Sequence, residues 1–290
     1  MKVLILGVTG MLGQAVMKEF VGFAGEVIVT SRSGEITNVP AKFKQVRFDA
    51  STDSISELLN ELSNGDSVIN CIGIIKAEID ESSEDSRERA FEINKNFPAR
   101  LAAAAEQRKL HVIQIATDCV FSGKSGHYLE NSPHDATDVY GISKSMGEIP
   151  SPAMMHLRVS IIGPEIRNHT SLYDWVARQE ESARITGYTN HFWNGIPAKH
   201  FGKIARGIIQ GGLFAPGVHH VLPADEASKS QLVRVIAMHE KRTDLQIIDG
   251  PAPMPINRTL STLDPNWNAV LWARAGYVPV PTIEALVDEI

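Results

Sequence analysis

The stretch "KVLIL", Lys2 to Leu6, runs straight into "GVTGMLG", and this junction constrains the chain more than any other feature. Four apolar, branched residues after Lys2 that stop at a glycine read as a strand buried on both faces. The helical pattern that follows extends from about Met11 to Phe23. Glycines at 7, 10 and 13 sit between strand and helix. In that setting Gly7 permits the tight turn, Gly10 lets backbone approach a diphosphate, and Gly13 lets helix and sheet pack closely. The first N–H groups of the helix then face negative charge. The junction predicts a dinucleotide site lined by Gly7, Thr9, Gly10, Met11, Leu12 and Gly13.

The rest of the first half repeats the alternation. "EVIVT" (from Glu26), "KQVRFD" (ending at Asp49), "SVINCIG", "HVIQIAT" and "MMHLRVSII" (from Met154) read as further strands. "SISELLNEL" and the alanine-rich "FEINKNFPARLAAAAEQRK" read as helices, and Tyr140 opens another that ends near Pro150. Strands alternating with helices predict an α/β fold, a Rossmann-type doubly wound parallel sheet with a smaller C-terminal substrate-binding lobe. We expect residues 1–165 to form the NADP-binding domain. "FGKIARGIIQGG" marks a returning segment at about 197–223, and 166–290 is mainly the substrate lobe.

Composition excludes several function classes. With 34 acidic against 28 basic residues the net charge is −6, and no basic run suggests a nucleic-acid surface. No stretch approaches the roughly 18 apolar residues of a membrane helix. Two cysteines in 290 residues make no disulfide framework and fit a reducing, cytoplasmic setting. The ten histidines show no zinc-like i, i+4 pair, so no metal site is expected.

The end of the second strand bears on the choice of dinucleotide. An NAD site places a carboxylate about 20 residues after the glycines to hold the ribose 2′-OH. Here "TSRS" offers Ser31, Arg32 and Ser33 instead. A guanidinium suits a 2′-phosphate, so NADPH is expected over NADH.

A nicotinamide cofactor gives meaning to "DVYGISKSMGE". Tyr140 and Lys144 lie one helical turn apart and leave the same face. Carbonyl reduction needs a proton for oxygen, and a nearby ammonium brings a phenol's high pKa closer to neutrality. Thr117, ending the fifth strand, has a hydroxyl where parallel-sheet sites form and is a candidate to bind the carbonyl oxygen.

The run "IATDCVFSGKSGHYLENSPHDATDVYGISKSMGE" resembles the extended short-chain dehydrogenase/reductase superfamily, most of all its dTDP-4-dehydrorhamnose reductase-like branch. Thr117, Asp118, Val120, Phe121, Gly123, Tyr128, Glu130, Tyr140, Gly141, Lys144, Gly147 and Glu148 match that branch's motifs. The resemblance also takes in the glycine loop, Asn94 in "INKNFPARLA", and "LRVSIIGPE", with Arg158 and a Gly163-Pro164 expected beside the nicotinamide. It implies Tyr140 as general acid, Lys144 as the residue that tunes it and positions the ribose, and Thr117 as carbonyl ligand. It further implies Asp49 at the adenine and Cys71, Ile72, Gly73 and Asn94 around the cofactor. Departures lie near the substrate. Cys119 replaces the branch's usual tyrosine, "DATDV" replaces a Pro-x-Asn, and "NCIGII" replaces paired alanines. Cys119 after Asp118 also lacks the glutamate of related dehydratases. Cys71 and Cys119 read as buried, inert thiols.

In the second lobe, "TNHFWNGIP" offers His191, Trp193 and Asn194, and "PINRTLST" offers Arg258 for a diphosphate. Trp193 reads equally as a packing residue. "HTSLYDW" is a candidate cap. With Asp118 and Cys119 these complete the expected substrate contacts. The resemblance implies NADPH-dependent reduction of a nucleoside-diphosphate 4-keto-6-deoxy sugar in surface-polysaccharide synthesis. Its rivals are a nucleotide-sugar epimerase and a noncatalytic NADP-binding subunit like the regulatory subunit of methionine adenosyltransferase. The expected partner is the sugar nucleotide, and a homodimer is left open.

Overall fold

A computed structural model describes every residue except 35, 37, 167 and 168. The apolar run forms β1 (Lys2–Leu6), and the glycine turn leads into α1 (Met11–Glu19). There follow β2 (Glu26–Ser31), β3 (Lys44–Arg47), α2 (Ile55–Leu58), β4 (Ser67–Asn70), α3 (Glu84–Phe91), α4 (Phe97–Arg108), β5 (His111–Ala116), α5 (Val139–Ser145), β6 (Met154–Arg158) and β7 (Ile161–Ile162). The second half holds α6 (Leu172–Ala177), β8 (Arg184–Tyr188), β9 (His191–Trp193), β10 (Ile196–Pro197), α7 (Ala198–Gly211), β11 (Gly217–His220), β12 (Ala227–Ser228), α8 (Lys229–His239), β13 (Gln246–Gly250), β14 (Ile256–Asn257), α9 (Pro265–Arg274) and α10 (Ile283–Val287).

Seven strands form one sheet in the order β11-β6-β5-β4-β1-β2-β3, all parallel. The chain winds outward through β2 and β3, then crosses back to β4. The crevice between β1 and β4 is therefore the topological switch point where such sheets bind ligands. In β1 the side chains alternate between two buried layers. Val3 and Ile5 join Val16, Met17, Phe20, Phe201 and Ile204 on the α1/α7 face, while Leu4 and Leu6 join Leu59, Phe97 and Leu101 on the other. Burying each such side chain stabilises by about 1.5–3 kcal/mol.

Two helices differ from the sequence expectation. The first ends at Glu19 rather than near Phe23, where Phe20 and, after Gly22, Phe23 turn into the core. The alanine-rich helix is broken by a π-helical segment, Glu92–Asn96. Pro98 has no N–H to donate to the carbonyl four residues back, that of Asn94, so the regular ladder cannot run through. The sixth strand stops at Arg158, and β7 pairs instead with β10. β11 adds to the main sheet beside β6, and α7 and α9 pack in the main core through Phe201, Ile204, Leu271 and Trp272. The lobe has its own core of Tyr173, Val176, Ile185, Trp193, Leu232 and Ile236.

Candidate active site

The glycine loop lies at the C-terminal edge of β1. Gly7 turns the chain at φ +80° and donates its N–H to Thr30 Oγ1 at 3.1 Å. Gly13 is where helix meets loop: a Cβ there would lie 2.2 Å from the Gly7 carbonyl oxygen. Gly10 is exposed, and a Cβ on it would meet only the Gly7 carbonyl, at 3.8 Å. It caps α1 without a side-chain bond, so the N–H groups of Met11, Leu12 and Gly13 are left to a ligand. Open space over a helix N-terminus, with no side chain in it, fits a dinucleotide diphosphate. Gly163 lies beside this loop, its pro-Cβ position 3.6 Å from Met11 Sδ.

At the end of β2, Arg32 and Ser33 are exposed, whereas Ser31 is 2% exposed and its hydroxyl accepts the Gly34 N–H at 3.0 Å. Ser31 thus builds the turn that presents Arg32. Asp49, across from it, accepts Ser51 N–H at 2.9 Å and the Ser51 hydroxyl at 2.6 Å. These bonds, with Arg32 and Arg47 nearby, hold its carboxyl below the usual range.

On the other side of the switch point stand Thr117, Tyr140 and Lys144. Asp138 starts α5 by accepting the Gly141 N–H at 2.8 Å, and Lys76 pairs with the same carboxylate at 2.8 Å. Tyr140 and Lys144 follow on the inward face. The Thr117 side chain stands by the Tyr140 hydroxyl and acts to lower its pKa, while its own hydroxyl donates to Asp118 Oδ1 and accepts the Cys119 N–H, both at 3.2 Å. Lys144 is 8% exposed and donates to the Ile115 carbonyl of β5 at 3.1 Å. Its Nζ also lies 4.0 Å from the pro-Cβ position of Gly73, on the loop after β4. Asn94 ties that loop to α5. It accepts from Ile74 N–H at 2.9 Å and donates to the Ile74 carbonyl at 3.0 Å and to Ser143 Oγ at 3.1 Å. Its amide is fully engaged, so it holds the loop after β4 against α5. Gly147 lets the end of α5 approach, since a Cβ there would sit 1.9 Å from the Asn94 carbonyl oxygen.

Burial dominates the electrostatics of Tyr140: it raises the phenol pKa well above the usual value, Cys119 and Asp118 add to this, and Thr117 opposes it. Burial also pushes the Lys144 amine down to about 8, with Glu148 working to keep it charged. Asp118 is raised, first by burial. The Cys119 thiol is pushed up to about 12 by burial and Cys71 is raised further by the same cause, so both are poor nucleophiles. Neither forms a disulfide.

Behind these residues lies a buried polar network that the motif hides. Arg158 Nε and Nη2 grip Glu148 at 3.1 and 2.6 Å, and Nη1 and Nη2 reach His220 and His134 at 2.7 and 2.9 Å. Glu130 accepts from Thr262 Oγ1 at 2.6 Å and Leu263 N–H at 2.8 Å, pinning the C-terminal segment to the site. Tyr128 stacks on Phe121 with centroids 4.2 Å apart.

In the lobe, Arg258 donates Nε to the Phe121 carbonyl at 2.8 Å and stands near Asp118, Cys119 and Asp138. Trp193 is 5% exposed within the lobe core, so of its two readings the packing one accounts for its ring. Asn194 spends its amide on Leu260, donating to the carbonyl at 2.7 Å and accepting the N–H at 2.9 Å. It shapes the site without facing it. His191 contacts the Met254 carbonyl at 2.9 Å. In "HTSLYDW", Ser171 caps α6. Lys229, which sequence reading passed over, brings an ammonium towards Asp118, Cys119 and Arg258. The "ASKSQ" capping box is legible locally, but nothing in it says where the lysine points. Among the described residues no metal-binding cluster occurs, and no helix is long and apolar enough to cross a membrane.

A doubly wound sheet, a glycine cradle at its switch point and a Thr-Tyr-Lys group facing it define an extended short-chain dehydrogenase/reductase. Within that superfamily the chain belongs to the RmlD substrate binding domain family, which residues 1–165 match. The chain is 27% identical over 182 residues to methionine adenosyltransferase 2 subunit beta of Rattus norvegicus, covering 63% of this chain and 50% of that protein. It thus spans about half the length of the curated relatives it matches. Among solved structures it resembles a dTDP-4-dehydrorhamnose reductase of Bacillus anthracis in complex with NADP (TM-score 0.76, 18% identity, 99% and 97% of the two chains covered). A reductase of the same description from Clostridium acetobutylicum gives TM-score 0.75 at 20% identity, covering 100% and 98%. The UDP-glucuronic acid 4-epimerase of Bacillus cereus, with NAD, gives 0.78 at 16%, covering 99% and 97%. At these identities the structural likeness establishes the fold.

Proposed function

We propose that the chain is an NADPH-dependent reductase of a nucleoside-diphosphate 4-keto-6-deoxy sugar, of the dTDP-4-dehydrorhamnose reductase type, serving surface-polysaccharide synthesis. The observation that carries this reading is the meeting of Thr117, Tyr140 and Lys144 opposite the glycine cradle. NADPH, when bound, supplies the hydride. Thr117 and Tyr140 hold the carbonyl oxygen by hydrogen bonds, and the neutral phenol gives its proton to that oxygen as the alkoxide forms. A raised phenol pKa keeps Tyr140 protonated and ready to donate. Lys144 supplies positive charge that stabilises the phenolate left behind. The exposed Arg32 supports preference for NADPH, and the NADP-bound relative is in keeping with it. Asp118, Cys119 and Arg258 line the substrate side.

A second reading is favoured by the curated relatives: a noncatalytic NADP-binding subunit acting through a partner. An NAD-retaining epimerase is a third, given the epimerases among the similar structures. One experiment separates them: NADPH oxidation with a panel of dTDP-, UDP- and GDP-linked 4-keto-6-deoxy sugars. Oxidation with one sugar, reduced about 10²- to 10⁴-fold by Tyr140→Phe, is the expected result. NADPH binding without turnover on any of them defeats the reductase reading.

A further inference from the structure

A closed circuit of hydrogen bonds joins four residues at the end of α5, and the hydride and proton transfers do not employ it. His134 Nδ1 meets Ser145 Oγ at 2.6 Å, and His134 Nε2 meets Arg158 Nη2 at 2.9 Å. Arg158 Nη2 donates to Glu148 Oε2 at 2.6 Å, and the Glu148 N–H returns to the Ser145 carbonyl at 3.2 Å. His134 comes from the loop before α5, Ser145 from its last residue, Glu148 from the turn after it, and Arg158 from the end of β6.

The circuit ties helix to sheet beside Lys144. Ser145 follows Lys144 directly, and the Gly147 N–H donates to the Lys144 carbonyl at 3.1 Å. Arg158 lies opposite Ala116 in the β5–β6 register, one residue beyond Ile115, whose carbonyl accepts from the Lys144 ammonium at 3.1 Å. The backbone of Lys144 is thus held to that strand end through the circuit, and its ammonium directly. A lysine stem is flexible, so its head keeps one place only where its backbone does.

The partners also fix the protonation of His134. A guanidinium only donates, so Nε2 is the acceptor and the hydrogen sits on Nδ1, donated to Ser145 Oγ. The imidazole is neutral while the circuit is closed. A proton on Nε2 would set donor against donor and place a second positive charge 2.9 Å from the guanidinium. Nε2 would then turn to Glu148 Oε2, 3.7 Å away, in competition with Arg158. The groups facing His134 are Arg158 from β6, Glu148 after α5 and Asp135 beside it, with Ser145 from α5 and the Phe121 ring edge-on at 5.5 Å. Asp135 is itself engaged by the Ser122 N–H and hydroxyl at 2.7 and 2.6 Å. Burial and Arg158 hold the imidazole below its usual pKa, against Glu148 and Asp135. The Arg158 and Glu148 side chains are 1% and 7% exposed and that of His134 26%, so solvent protons reach the circuit at His134.

We propose that His134 is a positioning residue for Lys144: as a neutral imidazole it closes the circuit and fixes the end of α5 against β5 and β6, and on protonation it opens the circuit and releases that helix end. The consequence for turnover rests on the reductase reading above, whereas the positioning stands on the protein alone.

The test follows Lys144 in the ligand-free protein by ¹³C NMR of ε-labelled lysine, its signal assigned with Lys144→Arg, and His134 by its imidazole ¹⁵N signals. His134→Phe keeps an aromatic ring beside Phe121 and removes both hydrogen bonds, and His134→Gln keeps an acceptor and a donor but cannot titrate. In wild type the neutral imidazole should carry its hydrogen on Nδ1, and Lys144 should titrate at about 8. In His134→Phe that midpoint should rise towards 10.5 by about half a pH unit or more as water reaches the amine, and His134→Gln should keep it within about 0.2. NADP⁺ titrations add a pH readout, taken at pH 8 and below the His134 midpoint that the ¹⁵N signals give. Between the two, wild type should lose about 3-fold or more in affinity relative to His134→Gln. Should His134→Phe fail to fold, this comparison decides alone. A hydrogen on Nε2, a Lys144 midpoint equal in wild type and His134→Phe, or a constant ratio of wild-type to His134→Gln affinity overturns the positioning role. Failure of wild type to bind NADP⁺, with the NMR results as expected, removes the reductase reading and leaves the positioning role standing.

Discussion

Replacing Arg158 by methionine should destabilise the protein by about 3–5 kcal/mol, because it strands a buried carboxylate. Arg158 is 1% exposed, and the Glu148 side chain 7%. The guanidinium makes two bonds to Glu148, at 3.1 and 2.6 Å, and one each to His220 and His134. It also lies 5.1 Å from the centre of the Phe121 ring. Both histidines are lowered first by burial and are held neutral, His220 at about 4. Arg158 itself helps to keep both neutral, while Glu148 acts to charge them. His220 therefore accepts from Arg158 through Nε2 and donates through Nδ1 to the Ser261 carbonyl at 2.5 Å. In Arg158→Met the Glu148 carboxylate loses both of its short charge-assisted bonds and keeps only His134, at 3.7 Å, and the more distant charge of Lys144. Against a typical total of about 5–15 kcal/mol, this is a large fraction of the stability. Equilibrium urea denaturation at pH 7 measures it. The companion variant Arg158→Met with Glu148→Leu should recover most of the loss, since both charges are then gone. A single variant that loses less than about 1 kcal/mol would refute the argument, as would a double variant no more stable than the single.

Two further predictions concern the site. Lys144, with its pKa pushed down to about 8, is charged below that pH and neutral above it, so turnover should fall as pH rises through about 8. Stability should move the other way: between about 8 and the unfolded value of 10.5 the unfolded chain binds more protons, so the fold gains stability with rising pH. A pH–rate profile and urea titrations at matched pH check the pair, and parallel trends would be the wrong result. Arg32→Ala should weaken NADPH by about 10- to 100-fold and leave NADH within about 3-fold. Unchanged preference in fluorescence titration would remove Arg32 from the 2′-phosphate.

The strands and the glycine cradle were legible because each is a local rule. A period-2 apolar run, a φ only glycine adopts easily and a helix start all depend on neighbours within a few residues. Tyr140 and Lys144 were legible for the same reason, one helical turn setting their common face. The break at Glu92–Asn96 had a local cause in Pro98, although the helical composition around it concealed it. The protonation of the pair was not legible. Burial is a property of the assembled site, and it raises the phenol and lowers the amine against the simple effect of one on the other.

Sequence alone therefore determined the doubly wound class, the glycine turn after β1 and the common face of Tyr140 and Lys144. Only the tertiary structure decided what the remaining motif residues do. Arg158 and His220 are 62 positions apart, and Glu130 and Thr262 are 132 apart. Asn194 is turned to the chain at Leu260, and Trp193 to the lobe core. Contacts over such separations are set by which strands pair and which segments pack together in the assembled fold. The direction of a side chain across that packing is not encoded in its immediate neighbours.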